Sequence, residues 1–356
     1  MADGTISMSR RRLDNIQALR GIAAFSVMLA HLFQIEKKYS SAALLPEAFN
    51  FGMAGVDLFF LISGFIMIYI SQKLGAGLTT ARDFLFARIT RIYPLYWIIS
   101  IALVFLYFIQ PDMVFGNAQD PNLVKSFFLW PDTALPLLNL GWTLIHEIGF
   151  YLIFAVLLCL PSRLRPLGLL LWGGLVGLGI WQGWNLIGPV ADLFFHPLTY
   201  EFLIGAGIGY LFLYRGKISA WACILLGTVS AIFALALWNG PAFQLFENDW
   251  ARVLSLSIPL GLILVGAVYF ERQTKTAPHW LIKLGDWSYS LYLTHVLSLS
   301  LIGRIWDWFA PTGVVSNLIM LIVMLLFAIL IASLTYKQIE QPLLKACRNL
   351  RNPNQS

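Results

Sequence analysis

The stretch Ile16–Phe33, IQALRGIAAFSVMLAHLF, decides the fold. It is apolar enough to lie inside a bilayer, yet it carries Arg20 near one end and His31 well inside. Titratable side chains are costly at membrane depth and are kept where they face a bundle interior or a wet cavity. Eleven residues at ~100° each come to within about 20° of three full turns, so Arg20 and His31 share one helix face, ~16 Å apart along the axis. A helix that is greasy all round except for one polar line is a membrane span with an inward side.

Blocks of this kind recur along the chain. Of its 356 residues 58% are hydrophobic and 12% charged, with mean hydropathy +0.73; a soluble domain carries about 25% charged residues. Apolar blocks fall at 19–35, 54–72, 92–109, 138–160, 166–184, 196–214, 218–238, 252–270, 284–303 and 314–336. Each is of a length to cross a hydrocarbon core ~30 Å thick. Backbone in lipid must satisfy its own hydrogen bonds, and the alternating pattern of a membrane β-barrel is absent. The expectation is therefore an all-α, polytopic membrane helical bundle of about ten transmembrane helices. It forms one domain over 1–356, with its core at 10–345. Residues 110–137 make the longest connection, within which VKSFFLW suits a short interfacial helix.

Charge sets the expected orientation. With the N-terminus inside, Arg10, Arg11, Arg12, Arg20, Lys73, Arg82, Arg88, Arg91, Arg163, Arg165, Arg215, Lys217, Arg272, Lys275, Lys283, Lys337, Lys345, Arg348 and Arg351 all fall on the cytoplasmic side. Only Lys37, Lys38, Lys125, Arg252 and Arg304 fall at the outer loops and span edges. This asymmetry follows the positive-inside rule, puts both termini in the cytoplasm, and accounts for most of the +6 net charge without nucleic acid. The first span also has the size of a signal-peptide core; its retention is expected, because cleavage would remove His31. Cys159, Cys223 and Cys347 lie near the reducing face, so no disulfide framework is expected.

The titratable residues within spans are Arg20, His31, Asp57, His146, Glu147, Glu201 and His295. Counting 1.5 Å per residue from the inner face puts His31 at ~18 Å and Glu147 and His295 at ~16 Å, so the three can converge near the midplane. Asp57 comes to ~25 Å and Glu201 to ~22 Å, nearer the outer surface. His146 points about 100° away from Glu147. Taken singly, His31 and His295 also suit buried neutral imidazoles bonded to carbonyls, and Glu147 a helix-packing hydrogen bond. A His–His–Glu set is compatible with metal by ligand type, but no short metal spacing supports it and no metal is expected.

After the second span comes ARDFLFARITRIYPLYW, residues 81–97. Phe84, Leu85, Phe86, Ile89 and Ile92 give it an apolar side, and Arg82, Arg88 and Arg91 a basic one, which predicts a cytoplasmic interfacial helix. Arg88 and Arg91, three apart, are neighbours able to hold phosphate by bidentate bonds, or to anchor on anionic lipid. Pro94 disfavours helix at Tyr93 and predicts a bend into the third span.

In order, LRGIAAFSVMLAH, AGVDLFFLISGFIM, RITRIYPLYW, GWTLIHEIGFYLIFA and LGDWSYSLYLTH closely resemble the acyltransferase-3 family of integral membrane acyltransferases, and most of all its exopolysaccharide O-acetyltransferases of the ExoZ type. The resemblance runs from Ile16 to about Lys345. It implies transfer of an acyl group, usually acetyl from cytoplasmic acetyl-CoA, to a glycan hydroxyl in the bacterial inner membrane. The family's Arg and His fall on Arg20 and His31, its Arg-x-x-Arg on Arg88 and Arg91, and its span acid on Glu147. Two positions depart: Ile148-Gly149-Phe150 stands where many members have a second acid, and Gln341 stands where many have Arg after Glu340.

The mechanism implied has the CoA nucleotide on Arg88 and Arg91 and the thioester threaded past Arg20. His31 acts as general base and Glu147 orients it; a covalent acyl-His31 is the variant. Ser63, Tyr93, Tyr151 and His295 are supporting candidates, and Asp57 and Trp142 are placed to meet the acceptor. No cofactor is bound permanently, acetyl-CoA being a co-substrate. Expected partners are acyl-CoA, a glycan or lipid-linked saccharide, membrane lipids and polysaccharide assembly machinery. Midplane His and Glu also suit a proton-coupled glycan or lipid transporter, and a scaffold subunit of a polysaccharide synthase is the third class.

Overall fold

Helix α1, Asp14–Tyr39, is the post around which the bundle is built. The computed structural model describes residues 12–40, 43–110, 120–214, 216–237, 242–309 and 312–351, all helical or irregular. Arg10, Arg11 and Arg215 and part of the 110–137 connection lie outside these residues. The helices that follow are α2 Ala54–Ser71, α3 Leu78–Ile109, α4 Leu123–Phe127, α5 Gly141–Leu158, α6 Arg165–Trp181, α7 Pro189–Phe194, α8 Thr199–Tyr214, α9 Ala220–Leu237, α10 Ala242–Glu247, α11 Asp249–Arg272, α12 His279–Asp286, α13 Ser288–Phe309, α14 Val314–Thr335 and α15 Gln341–Arg351. Each predicted span overlaps one of these helices, and VKSFFLW, residues 124–130, overlaps α4.

Asp14–Tyr39, Glu47–Ser71, Leu78–Ile109, Gly141–Leu158, Asp249–Arg272 and Val314–Asn349 are long and apolar enough to cross a membrane. Large apolar side chains such as Leu170, Leu226, Leu254 and Leu326 are exposed on the outside of the bundle, where lipid rather than water covers them. The chain is an all-α membrane bundle.

Polar groups at helix ends explain how α1 is fixed. The carboxylate of Glu271, near the end of α11, accepts from the free backbone N–H groups of Asp14 (3.2 Å) and Asn15 (2.8 Å), complementing the positive end of the helix dipole. Asn15 donates to the carbonyls of Ala267 and Lys275 and accepts from Ala277 N–H. At the other end, buried Glu36 accepts from Leu44 and Leu45 N–H and from Asn317 of α14. Arg165 does the reverse for α2: its guanidinium donates to the carbonyls of Leu160, Ser71, Leu74 and Gly75 at 2.8–3.2 Å, closing the orphan carbonyls after that helix.

Glycine lets α2 and α8 touch backbone to backbone. A Cβ on Gly64 would stand 2.0 Å from the carbonyl oxygen of Phe202, and one on Gly205 2.0 Å from that of Leu61. Close approach through small residues is how membrane helices gain packing energy without a hydrophobic driving force. The contact fixes where α2 presents Asp57 and Ser63.

Tyr93, where Pro94 disfavours helix, is helical. Helix α3 runs unbroken from Leu78 to Ile109 with Pro94 inside it, so the basic segment is the first half of a long helix. One proline removes a single backbone donor, and side-chain bonds hold the helix on both sides. Tyr93, Tyr96 and Trp97 donate to the carbonyls of Phe128 (2.8 Å), Ser126 (2.7 Å) and Phe127 (2.9 Å) around the end of α4, and Tyr289 donates to the Ile92 carbonyl at 2.7 Å.

Candidate active site

Five helices meet around one cavity of about 230 Å³. Helix α1 contributes Gln17 and Arg20, α2 Phe59 and Ser63, α3 Arg88 and Arg91, α5 Thr143, Glu147 and Tyr151, and α13 Ser288, Tyr289 and Tyr292. Arg88 and Arg91 point the same way because they are one turn apart. The Arg88 guanidinium lies against the rings of Phe84 (5.6 Å) and Tyr151 (5.8 Å), and its Nε has no hydrogen-bond partner. Arg20 donates to Gln17 at 3.2 Å. Among the described residues, the ion pairs formed do not include Arg20, Arg88 or Arg91.

Glu147 is the acid of this cavity. Its Oε1 accepts from Ser63 Oγ at 2.9 Å and from the Tyr151 hydroxyl one turn along α5. Buried Glu340, which accepts from Ser290 at 2.6 Å, adds a second carboxylate within electrostatic reach of Arg20 and Arg91. Three guanidiniums against these two acids leave a net positive, partly apolar chamber. Such a chamber suits an anion.

The histidines stand elsewhere. His31 is not among the lining residues, and its hydrogen-bond partners do not include Glu147. His31 pairs instead with His295: Nε2 of His295 is 3.3 Å from Nδ1 of His31, and the rings meet edge to face at 5.0 Å. Each Nδ1 also lies 2.9 Å from a carbonyl one turn back, Val27 for His31 and Leu291 for His295. A carbonyl only accepts, so both Nδ1 atoms carry the proton. The Nδ1–H of His31 is then shared between Val27 and His295, and the Nε2 of His31 keeps its lone pair. The pair adjoins the cavity through Tyr292, whose ring is 6.0 Å from that of His295 and whose hydroxyl bonds Thr143 at 2.7 Å. The expectation that Glu147 orients His31 is therefore corrected: the neighbour is His295.

Two further expectations change. Asp57 does not meet an acceptor; it is fully buried and accepts from Arg252 Nε at 2.6 Å. Arg252, expected at an outer span edge, is buried in the first turn of α11. Trp142 covers its guanidinium at 5.6 Å. Sequence reasoning gave no role to Glu340, which precedes the departing Gln341; Gln341 itself donates to the Tyr336 hydroxyl at 3.0 Å. It also missed Gln17 and Tyr292, which nothing but tertiary placement identifies. Among the described residues no three His, Cys, Asp or Glu side chains converge as metal ligands.

A membrane bundle with a buried, arginine-lined cavity and a flanking imidazole pair is the class of molecule this geometry defines. A family model described as an acyltransferase domain matches residues 13–337. The chain therefore belongs to the acyltransferase-3 family and is a membrane acyltransferase. Exopolysaccharide production protein ExoZ of Rhizobium meliloti is 29% identical to it, covering 88% of this chain and 96% of its own. Acyltransferase MdmB of Streptomyces mycarofaciens is 24% identical, over 94% and 92%. Nodulation protein 10 of Rhizobium leguminosarum bv. viciae is 25% identical, over 93% of each chain. No solved structure matches the chain at a significant level.

Proposed function

We propose that the protein is an O-acyltransferase that moves an acetyl or other short acyl group from cytoplasmic acyl-CoA to a hydroxyl of an exported polysaccharide or its lipid-linked precursor. The observation that carries this reading is the convergence of Arg20, Arg88 and Arg91 on one cavity without ion pairs. Guanidiniums in that state bind phosphate by charge-assisted bonds. The nucleotide rests on Arg88 and Arg91, and the pantetheine arm runs past Arg20 toward His31. The ~16 Å that separates Arg20 from His31 along α1 is on the scale of that arm. Tyr292 and Phe59 are the rings the arm passes.

The Nε2 lone pair of His31 takes the proton of the acceptor hydroxyl as its oxygen attacks the thioester carbonyl. The carbon–sulfur bond breaks and the imidazolium returns the proton to the leaving thiolate, so the reaction consumes no proton. His295 accepts from Nδ1–H and spreads the imidazolium charge. Glu147 holds Ser63 and Tyr151 and offsets part of the arginine charge. The name of the Rhizobium meliloti relative favours a polysaccharide acceptor. The positive-inside asymmetry favours an inner bacterial membrane with both termini in the cytoplasm and the arginine cavity facing the CoA pool.

The test is transfer of labelled acetyl groups to cell polysaccharide in cells with the protein, without it, and with His31→Ala. Polysaccharide acetylation should require the protein and be lost in His31→Ala at unchanged membrane levels. Acetylation that persists in His31→Ala removes the catalytic assignment; polysaccharide acetyl content that is the same with and without the protein removes the acceptor class.

A further inference from the structure

A second buried polar cluster lies outside the arginine cavity. Asp57 of α2, Glu201 of α8, and Arg252 and Ser257 of α11 meet where those three helices pack. Asp57 and Glu201 are 0% exposed and Arg252 is 2% exposed. Arg252 Nε donates to Asp57 Oδ1 at 2.6 Å, and the α2–α8 packing sets Glu201 beside Asp57, because Gly205 meets Leu61 four residues further along each helix. Yet Asp57 Oδ2, both oxygens of Glu201, the Ser257 hydroxyl and Arg252 Nη2 are without a hydrogen-bond partner. The guanidinium is sealed by Trp142 at 5.6 Å and Phe246 at 5.5 Å.

Charge does not balance here if both acids are ionised. Two carboxylates face one guanidinium, at membrane depth, with no water-exposed surface. A surplus buried charge costs several kcal/mol, and adjacent carboxylates relieve it by sharing a proton. A proton on either acid also supplies a donor between the two carboxylates. It bridges Glu201 to Asp57 Oδ2, and the Ser257 hydroxyl is then free to donate to the other Glu201 oxygen. One proton thus satisfies the orphan oxygens and the charge together.

We propose that Asp57 and Glu201 form a proton-binding site that holds one proton between them against Arg252. The other titratable groups nearby mark its way to the surface. His146 of α5 packs on Trp142, the ring that also covers Arg252; its own ring is 4.5 Å from that of His196, whose Nε2 is 3.2 Å from Asp249 Oδ2. Asp192 of α7 faces the same His196 and Asp249. Side-chain exposure falls from 36% at Asp249 to 12% at His196 and to 0% at Asp57, a graded path for proton exchange. The site stands independently of the donor reading.

The experiment is infrared spectroscopy of the full-length protein in lipid nanodiscs at neutral pH, with thermal stability measured in parallel. The wild-type should show a protonated-carboxyl C=O band that shifts in D₂O and is absent in Glu201→Gln. Glu201→Gln, which imitates a neutral acid, should keep wild-type stability, whereas Asp57→Asn, which strips Arg252 of its counterion, should lose it. If Glu201→Gln does not fold, wild-type protein carrying ¹³C at glutamate or at aspartate carboxyls reads the same band by its isotope shift. A spectrum without that band, or Glu201→Gln as unstable as Asp57→Asn, overturns the proposal. So does sodium-dependent stability that Glu201→Gln abolishes, which would make the ligand a metal cation.

Discussion

Replacing Gly64 by alanine tests the joint on which both polar sites are mounted. The added Cβ would stand 2.0 Å from the Phe202 carbonyl oxygen, 2.8 Å from its carbon and 2.9 Å from Ala206 N, all backbone. Real contacts of this kind essentially never fall below 3.0 Å, so α2 and α8 must part by about 1 Å. A gap of that size forfeits about a quarter to a half of the dispersion energy along the contact, and overpacking of a tight core costs about 1–3 kcal/mol. The same shift would take Ser63 off Glu147, now at 2.9 Å, and a misplacement of ~1 Å at a reacting centre can cost about 10²-fold in rate. Gly207, on α8 itself, has nothing within 4 Å of its Cβ position. Alanine there should be neutral or stabilising by up to about 1 kcal/mol, the helix-propensity gain over glycine. Apparent melting midpoints in nanodiscs, with acyl-transfer rates beside them, make the comparison. Gly64→Ala should fall below wild-type in both, and Gly207→Ala in neither. Equal stability of the two variants would refute the backbone contact.

Other outcomes follow from the same geometry. Arg165→Leu leaves the carbonyls of Ser71, Leu74 and Gly75 without their donor. At about 1–3 kcal/mol for each group left unsatisfied, the protein should be markedly less thermostable, and fragment analysis should show proteolysis at residues 72–77. His295→Ala removes the acceptor of His31 Nδ1–H but leaves Val27 in place. Loss of a hydrogen bond to a charged group, about 1.5–3 kcal/mol, predicts a roughly 10–150-fold lower kcat with little change in donor KM. Adding His295→Ala to His31→Ala should then cost nothing more; an additive loss would separate the two residues.

The helices were legible because lipid imposes a length and a composition on each span, and Tyr93 is helical before Pro94 against a rule for prolines that carries no knowledge of what packs around them. The bonds from Tyr93, Tyr96 and Trp97 to the end of α4, and from Tyr289 to Ile92, are tertiary. The arginine cavity was half legible: Arg88 and Arg91 are close in sequence, and a shared helix face links Arg20 to His31. What helical periodicity does not give is the rotation of one helix against another. His31 meets His295 across 264 residues, and Arg252 meets Asp57 across 195. Depth counting put Glu147, His31 and His295 at one level, but being level is not being in contact. Asp57 and Glu201 were likewise found one by one as costly acids, and Arg252 was assigned to the outer edge because a lone arginine near a span end reads that way.

The central claim is that the Arg20–Arg88–Arg91 cavity holds the acyl donor, and equilibrium binding of labelled acetyl-CoA to the purified full-length protein in nanodiscs addresses it most directly. The account predicts saturable binding that weakens about tenfold or more in Arg88→Ala and in Arg91→Ala, as loss of a charge-assisted bond to phosphate requires. Binding that is absent in the wild-type, or equally tight in both variants, would contradict it.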